Sequence, residues 1–205
     1  MEKKRKAVKS PPKKYTKAAS VSDEKLTFTG KVKKSLRGAK IEKLCCKTAY
    51  AAGLAYPKQA ENTGIDRKLF RCSACAPHFL RGVFVCSGSV NAPEKGHHLE
   101  MKVNGRKKAE ELSAVLAENG FEAGISARRS SDIVYFKDGE VIFGFLNYIG
   151  AQKCAFDFLD VLIEKQVRND CNRKTNFDAA NMVKTAAAGK RQLDAIRYFY
   201  ETGEI

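Results

Sequence analysis

The 205-residue chain has no tryptophan, three histidines, five prolines and no long apolar run. Each shortage excludes something. The most apolar stretch, Val141 to Ala151, is 11 residues long and contains Asn147, whereas crossing a bilayer takes about 20. No membrane partner is expected. With so little histidine, no Ser-His-Asp or Cys-His set stands out, and no glycine-rich phosphate loop is present. The opening MEKKRKAVKSPPKK has no apolar segment after its lysines, so it does not read as a secretory signal. The seven cysteines are an odd number with no secretory context, and read as reduced thiols in a cytosolic compartment. Acid is also scarce, with 23 Asp+Glu against 38 Lys+Arg and a net charge of +15. What remains is 43% hydrophobic, enough for a core, which excludes a fully disordered or collagen-like chain.

The charge is uneven. Residues 1–43 hold 15 Lys/Arg and 4 Asp/Glu, a net of +11, and residues 44–205 a net of +4. The first 27 residues are mostly Lys, Ser, Pro and Ala without periodicity, the composition of a disordered arm. Eight Lys/Arg fall within the first 17 residues and suit an anionic polymer, or serve only as a solubilising tail.

From Phe28 the texture changes. Phe28, Val32 and Leu36 recur every four residues and predict an amphipathic helix. A second helix is expected over about 43–56, stopped by Pro57, then a polar loop over 58–69. A third starts near Ala76, with Pro77 in its first turn, and ends near Gly88. SVNAP and HHLEMKV read as strands around a turn, with one of His97 and His98 facing in and the other out. A helix over 106–119 carries the stripe Ala109, Leu112, Val115 and Leu116, closed by Gly120. FEAGISAR and SDIVYFK read as two more strands. DGEVIFGFLNYIGA reads as a helix that ends at Gly150, and another follows over 151–170 with Phe158, Leu159, Leu162 and Ile163 inward. A separate last helix is expected over about 178–202. The order predicts an α+β fold, with helices on one face of a small antiparallel sheet.

One internal similarity stands out. CCKTAYAAGLAY (45–56) and ACAPHFLRGVFV (74–85) superpose with an offset of 29, placing Cys46 on Cys75, Tyr50 on Phe79, Gly53 on Gly82 and Leu54 on Val83. A mid-helix glycine costs about 1 kcal/mol against alanine, so it usually has a packing reason. A second helix lying close at that point supplies one; chance similarity over 12 positions is the alternative.

LRGVFVCSGSV followed by a strand has the shape of the interface helix of LAGLIDADG homing endonucleases. FLRGVFVCSGSVNAPEKGHHLEM, then FLNYIGAQKCAFDF, then VRNDCNRKTNFDAANMVKTAAAGKRQLDAIRYFYETGEI, in that order, resemble the WhiA family over roughly residues 28–56 and 66–205. The resemblance implies a catalytically dead LAGLIDADG homing-endonuclease-like lobe. It also implies a bacterial transcriptional regulator of sporulation or cell division, acting in the cytoplasm on the nucleoid. Against that pattern the chain is expected to be a short form, with residues 28–65 a remnant of a first lobe and 66–170 the LAGLIDADG-like lobe. Residues 171–205 would be a linker and a helix leading to a helix-turn-helix domain that is itself absent.

An active enzyme of that type needs a carboxylate near the end of each interface helix to hold divalent metal. Here those positions are Ser87 and the Tyr56-Pro57 junction, so no enzyme is expected. Cys45-Cys46 and the Cys72-x-x-Cys75 pair could supply four thiolates to zinc. Adjacent cysteines suit such a site less well than the Cys-x-x-Cys pair, and four small buried apolar side chains or a redox pair would give the same spacing. The expectation is no metal and no cofactor, with these four as the candidates should there be one.

Double-stranded DNA is the partner the resemblance implies, and an excess of positive charge suits it. Lys3, Lys4, Arg5, Lys6, Lys9, Lys13, Lys14 and Lys17 would neutralise phosphates without reading sequence. Arg168, Asn169, Asn172, Arg173 and Asn176 recur at helical spacing, and Asn181 and Lys184 continue the same character. The alternative is a protein-interaction scaffold, a homodimer or partner-binding module using the face left by the missing lobe. A solvated helix face is the plain reading of the same Arg/Asn residues.

Overall fold

Short alternating segments and helical stripes fold as their periods dictate. The computed structural model describes residues 26–60, 63–128 and 131–203. Among these residues six α-helices, α1 (Phe28–Gly38), α2 (Leu44–Ala55), α3 (Cys75–Ser87), α4 (Arg106–Glu118), α5 (Gly139–Tyr148) and α6 (Gln152–Thr202), accompany four strands, β1 (Gly88–Val90), β2 (Leu99–Val103), β3 (Gly124–Arg128) and β4 (Ser131–Phe136). The strands form one antiparallel sheet in the order β1-β2-β4-β3. This is the expected α+β layout.

In β2, Leu99, Met101 and Val103 are buried while Glu100 and Lys102 face away. The register sets Met101 opposite Val134 and Leu99 opposite Phe136, so one side of the sheet is apolar. The stripe Ala109, Leu112, Val115 and Leu116 of α4 is fully buried in the same core. Phe84 of α3, Phe136 of β4 and Phe145 of α5 meet there, with ring centroids 6.2 and 5.3 Å from Phe145. Thr27 caps α1 through Gly30 N–H, and Asp138 caps α5 through the N–H groups of Glu140 and Val141. Thr29 Oγ1 donates to Val90 O and accepts from Val90 N–H, so α1 satisfies the edge strand β1.

The two glycine helices cross as the internal similarity predicts. A Cβ on Gly53 would stand 2.0 Å from Phe79 O, and one on Gly82 would stand 2.4 Å from Tyr50 O. Backbone touches backbone there, and only glycine fits.

Two buried cations finish this packing, and neither was expected from the sequence. Arg81 Nη2 donates to Leu36 O and, at 2.7 Å, to Ala39 O, at the carbonyl end of α1. Lys108 Nζ donates to Tyr56 O and, at 3.0 Å, to Gln59 O just past α2, while Tyr56 Oη donates to Lys108 O at 2.9 Å. Carbonyls left over at a helix end need donors, and a cation there also suits the helix dipole.

The structure departs from the sequence reading in three places. The helix expected over 178–202 does not start anew: α6 runs unbroken for 51 residues. It contains no proline and one glycine, so nothing in it stops a helix. Ile163 is not inward but 50% exposed; Phe158 is buried, and Leu159 and Leu162 are half-buried. The helix leaves the body at that point, and its last side-chain tie is Lys165 Nζ donating to Pro93 O and Glu94 O at 2.6 and 2.9 Å. His97 and His98 precede β2 rather than lying in it. They still face opposite ways, His97 against Phe158 and His98 stacked on Tyr135.

Candidate nucleic-acid interface

The side of the sheet that faces away from the helices is built by the same alternation that builds the core. Glu100 and Lys102 of β2 are set opposite Tyr135 and Ile133 of β4, which in turn stand opposite Gly124 and Ser126 of β3. Arg128 ends β3, and His98 and Lys137 flank the face. His98, Glu100, Ser126, Arg128, Ile133, Tyr135 and Lys137 line a shallow hollow of about 150 Å³. The carboxylate of Glu100 is 3.4 Å from His98 Nε2, 3.4 Å from Arg128 Nη2 and 3.9 Å from Lys102 Nζ. Lys137 Nζ sits over the Tyr135 ring, 5.2 Å from its centroid. Two permanent cations, Arg128 and Lys102, thus face one carboxylate, and a third, Lys137, lies over the ring beside it. The Tyr135 ring lies across Gly124, where an added Cβ would come within 2.5 Å of it. Such a face can hold phosphate oxygens with its cations.

The sequence reading missed this surface. The alternation in LEMKV and SDIVYF already separated the two faces, but which strands are neighbours is a matter of topology.

The predicted α6 residues fall on one solvent-facing side. At about 100° per residue, Arg168, Asn169, Asn172, Arg173, Asn176 and Lys184 span an arc of about 160°, with Asn181 about 60° beyond it. All seven are exposed. Arg168 pairs with Glu164, and Arg173 lies 4.0 Å from Asp170. The helix as a whole carries nine basic and seven acidic residues, so its surplus of positive charge is small. Lys3, Lys4, Arg5, Lys6, Lys9, Lys13, Lys14 and Lys17 lie outside the described residues. Thr27, assigned to the arm by composition, is the cap of α1.

The two positions where a nuclease would place carboxylates hold groups engaged in structure. Tyr56 Oη is bonded to Lys108 O, and Ser87 Oγ donates to Val83 O at 3.3 Å. No helix among the described residues is long and apolar enough to cross a membrane.

The four candidate cysteines, by contrast, come together. Cys45 and Cys46 in the first turn of α2, Cys75 at the first position of α3 and Cys72 just before it have all four Sγ atoms within 4.8 Å of one another. Cys72 Sγ is 3.7, 3.6 and 3.4 Å from those of Cys45, Cys46 and Cys75. The hydrogen bond from Cys75, with the backbone N–H of Ala74, brings the Cys72 thiol down to about 7, while burial pushes Cys46 up to about 12.

Comparison with known proteins gives a consistent family. Residues 76–168 match the WhiA LAGLIDADG-like domain. The "Probable cell division protein WhiA" of Desulforudis audaxviator is 40% identical over 134 residues, 65% of this chain and 43% of that protein. The protein of the same name from Thermoanaerobacter sp. is 35% identical over 141 residues, 69% of this chain and 44% of that protein. The chain therefore spans less than half the length of these relatives. Full-length DUF199/WhiA from Thermatoga maritima superposes with a TM-score of 0.65 at 21% identity, over 86% of this chain and 80% of that one. The isolated N-terminal LAGLIDADG domain of DUF199/WhiA gives 0.54 at 18% identity, over 65% and 97%. At such identities the likeness is one of fold.

Proposed function

Residues 76–168 belong to the WhiA LAGLIDADG-like domain family, and from that premise we propose that the chain is a non-enzymatic, DNA-contacting regulator of cell division acting at the nucleoid. The observation that carries this reading is the open sheet face, where Lys137 lies over Tyr135, Lys102 and Arg128 flank Glu100, and the three cations outnumber the one carboxylate. The basic composition of residues 1–43 supplies long-range attraction, and Arg168 and Arg173 on α6 a second contact to the backbone. Cation contacts of this kind position a duplex; they do not read its sequence. With Tyr56 and Ser87 where metal-binding carboxylates would stand, the scaffold holds DNA without cutting it.

The test is fluorescence anisotropy of a mixed-sequence duplex across a salt series. The full chain, a chain starting at Thr27, Lys102→Gln/Arg128→Gln/Lys137→Gln and Arg168→Gln/Arg173→Gln are compared. Each phosphate contact contributes about 0.9 to the slope of log affinity against log salt. The sheet variant, which removes three cations, is expected to lose about 2–3 of that slope, and the α6 variant, which removes two, about 2 or less. A slope unchanged by the sheet variant would overturn the reading.

A second reading has its own observation. Apart from Leu44, every exposed large hydrophobic side chain among the described residues lies on α6, including Val167, Met182, Leu193 and Ile196. A protein partner or a second copy covering that helix would explain them. Light scattering of the purified chain distinguishes monomer from dimer.

A further inference from the structure

We propose that Cys45, Cys46, Cys72 and Cys75 form a structural zinc site that staples α2 to the start of α3. The inference is independent of the DNA reading. A zinc ion held tetrahedrally by four thiolates at about 2.3 Å keeps their sulfurs about 3.8 Å apart. The three separations from Cys72 Sγ are 3.7, 3.6 and 3.4 Å, and all four sulfurs lie within 4.8 Å. That is the spacing of ligands around one small ion. An iron–sulfur cluster would hold its cysteines farther apart, by the width of the cluster.

Two plainer explanations fit less well. A disulfide needs one pair at about 2.05 Å, yet Cys72 is almost equally distant from the other three and no pair is singled out. Apolar packing would account for Cys46 and Cys75, which are buried, but Cys45 and Cys72 are half-exposed and still turn their sulfurs to the same point. The sulfurs also converge from segments 26 residues apart, a placement that only the α2–α3 crossing produces.

The surroundings suit the ion. Four thiolates on one zinc leave a charge of about −2, each thiol having given its proton to solvent. Lys68 and Arg71 line a hollow of about 380 Å³ that reaches Cys45, and Lys40 and Lys43 line one of about 250 Å³ that reaches Cys46. Each hollow also holds one carboxylate, Asp66 in the first and Glu42 in the second, so each opening gives an entry path and one surplus positive charge. His78 lies in the second, but its Nδ1 is 2.6 Å from Ala74 O, so the ring is held by the backbone. Zinc favours this donor set because thiolate is a soft ligand and the geometry is tetrahedral.

The experiment is metal analysis of the full chain purified with zinc in the medium and no chelator. One equivalent per chain is expected, kept by Cys171→Ser, whose thiol is exposed on α6, and lost by Cys72→Ser. Replacement by Co2+ should give the intense visible absorption of a tetrahedral thiolate site. Chelation should lower the melting temperature of the unmodified chain by about 10 °C or more, and added zinc should restore it. The chelation and cobalt measurements stand even where Cys72→Ser fails to fold. Less than a tenth of an equivalent with no cobalt spectrum, or a native disulfide within the set by mass spectrometry, would overturn the proposal.

Discussion

At the α2–α3 crossing two helices meet backbone to backbone, and beyond Lys165 another helix runs into solvent. Phe79 at the crossing is 1% exposed and packs edge-on against Tyr56 and Phe70, with centroids 5.7 and 5.6 Å away. On α6, every described residue from Gln166 to Gly203 is exposed except the half-buried Ala188 and Gly189. Both stretches are strongly helical in sequence. The difference lies in what each side chain finds when it turns inward, and helix formation alone says nothing about that. A mid-helix glycine on each shows it: Gly53 has a carbonyl within 2.0 Å of its absent Cβ, and Gly189 has nothing within 4 Å.

That contrast can be broken or sharpened in order of effect. Phe79→Ala should cost the most, about 3–5 kcal/mol, read as a shift in the midpoint of urea unfolding. A loss below about 1 kcal/mol would mean the crossing is not held as described. Gly82→Ala comes next. It adds one methyl group against Tyr50 O and the Leu54 backbone, for about 1–3 kcal/mol. Gly189→Ala should be neutral or slightly stabilising in the same assay.

Lys108→Met probes the buried cation behind the crossing through pH. Burial lowers the Lys108 pKa, with Glu111 acting in the opposite direction. The folded chain therefore binds this proton less tightly than the unfolded chain. Stability due to this group should rise as pH climbs from the lowered value towards the unfolded one near 10.4, and fall again as pH drops. The Met variant should lack that component of the alkaline rise when its unfolding curves are compared with those of the unmodified chain. Smallest of all, Leu193→Ala on α6 should change unfolding by no more than about 0.5 kcal/mol. A larger loss would show that α6 is covered in solution, which is what the partner-binding reading requires.

Much of the architecture was legible because it is local. The four-residue recurrence of Phe28, Val32 and Leu36, the stripe on α4 and the run DGEVIFGFLNYIGA depend on neighbours in sequence, and each became the predicted element. The glycine crossing was legible for a different reason: a costly residue repeated at matching positions of two similar helices implies a contact that repays it. Ile163 and the break expected before Asp178 were misread because the period of a helix continues whether or not a body lies beside it. Of the residues in the candidate interface, Arg168, Asn172 and Arg173 were proposed from spacing, whereas Lys102, Arg128 and Lys137 lie on separate segments joined only by the β2-β4-β3 order.

By itself, then, the sequence determined the helices, the strands, which face of each strand is apolar and the family to which the central region belongs. All of these follow from backbone periods of 3.6 and 2 residues and from ordered motifs. Tertiary structure alone decided the rest: that Arg81 and Lys108 end up buried on helix carbonyls, that Lys102, Arg128 and Lys137 gather about Glu100 and Tyr135 on the open sheet, and that four sulfurs from two ends of a 26-residue span share one point. Those placements depend on distances between segments far apart in the chain, and such distances are fixed only when the apolar faces close on one another and the core admits a single packing.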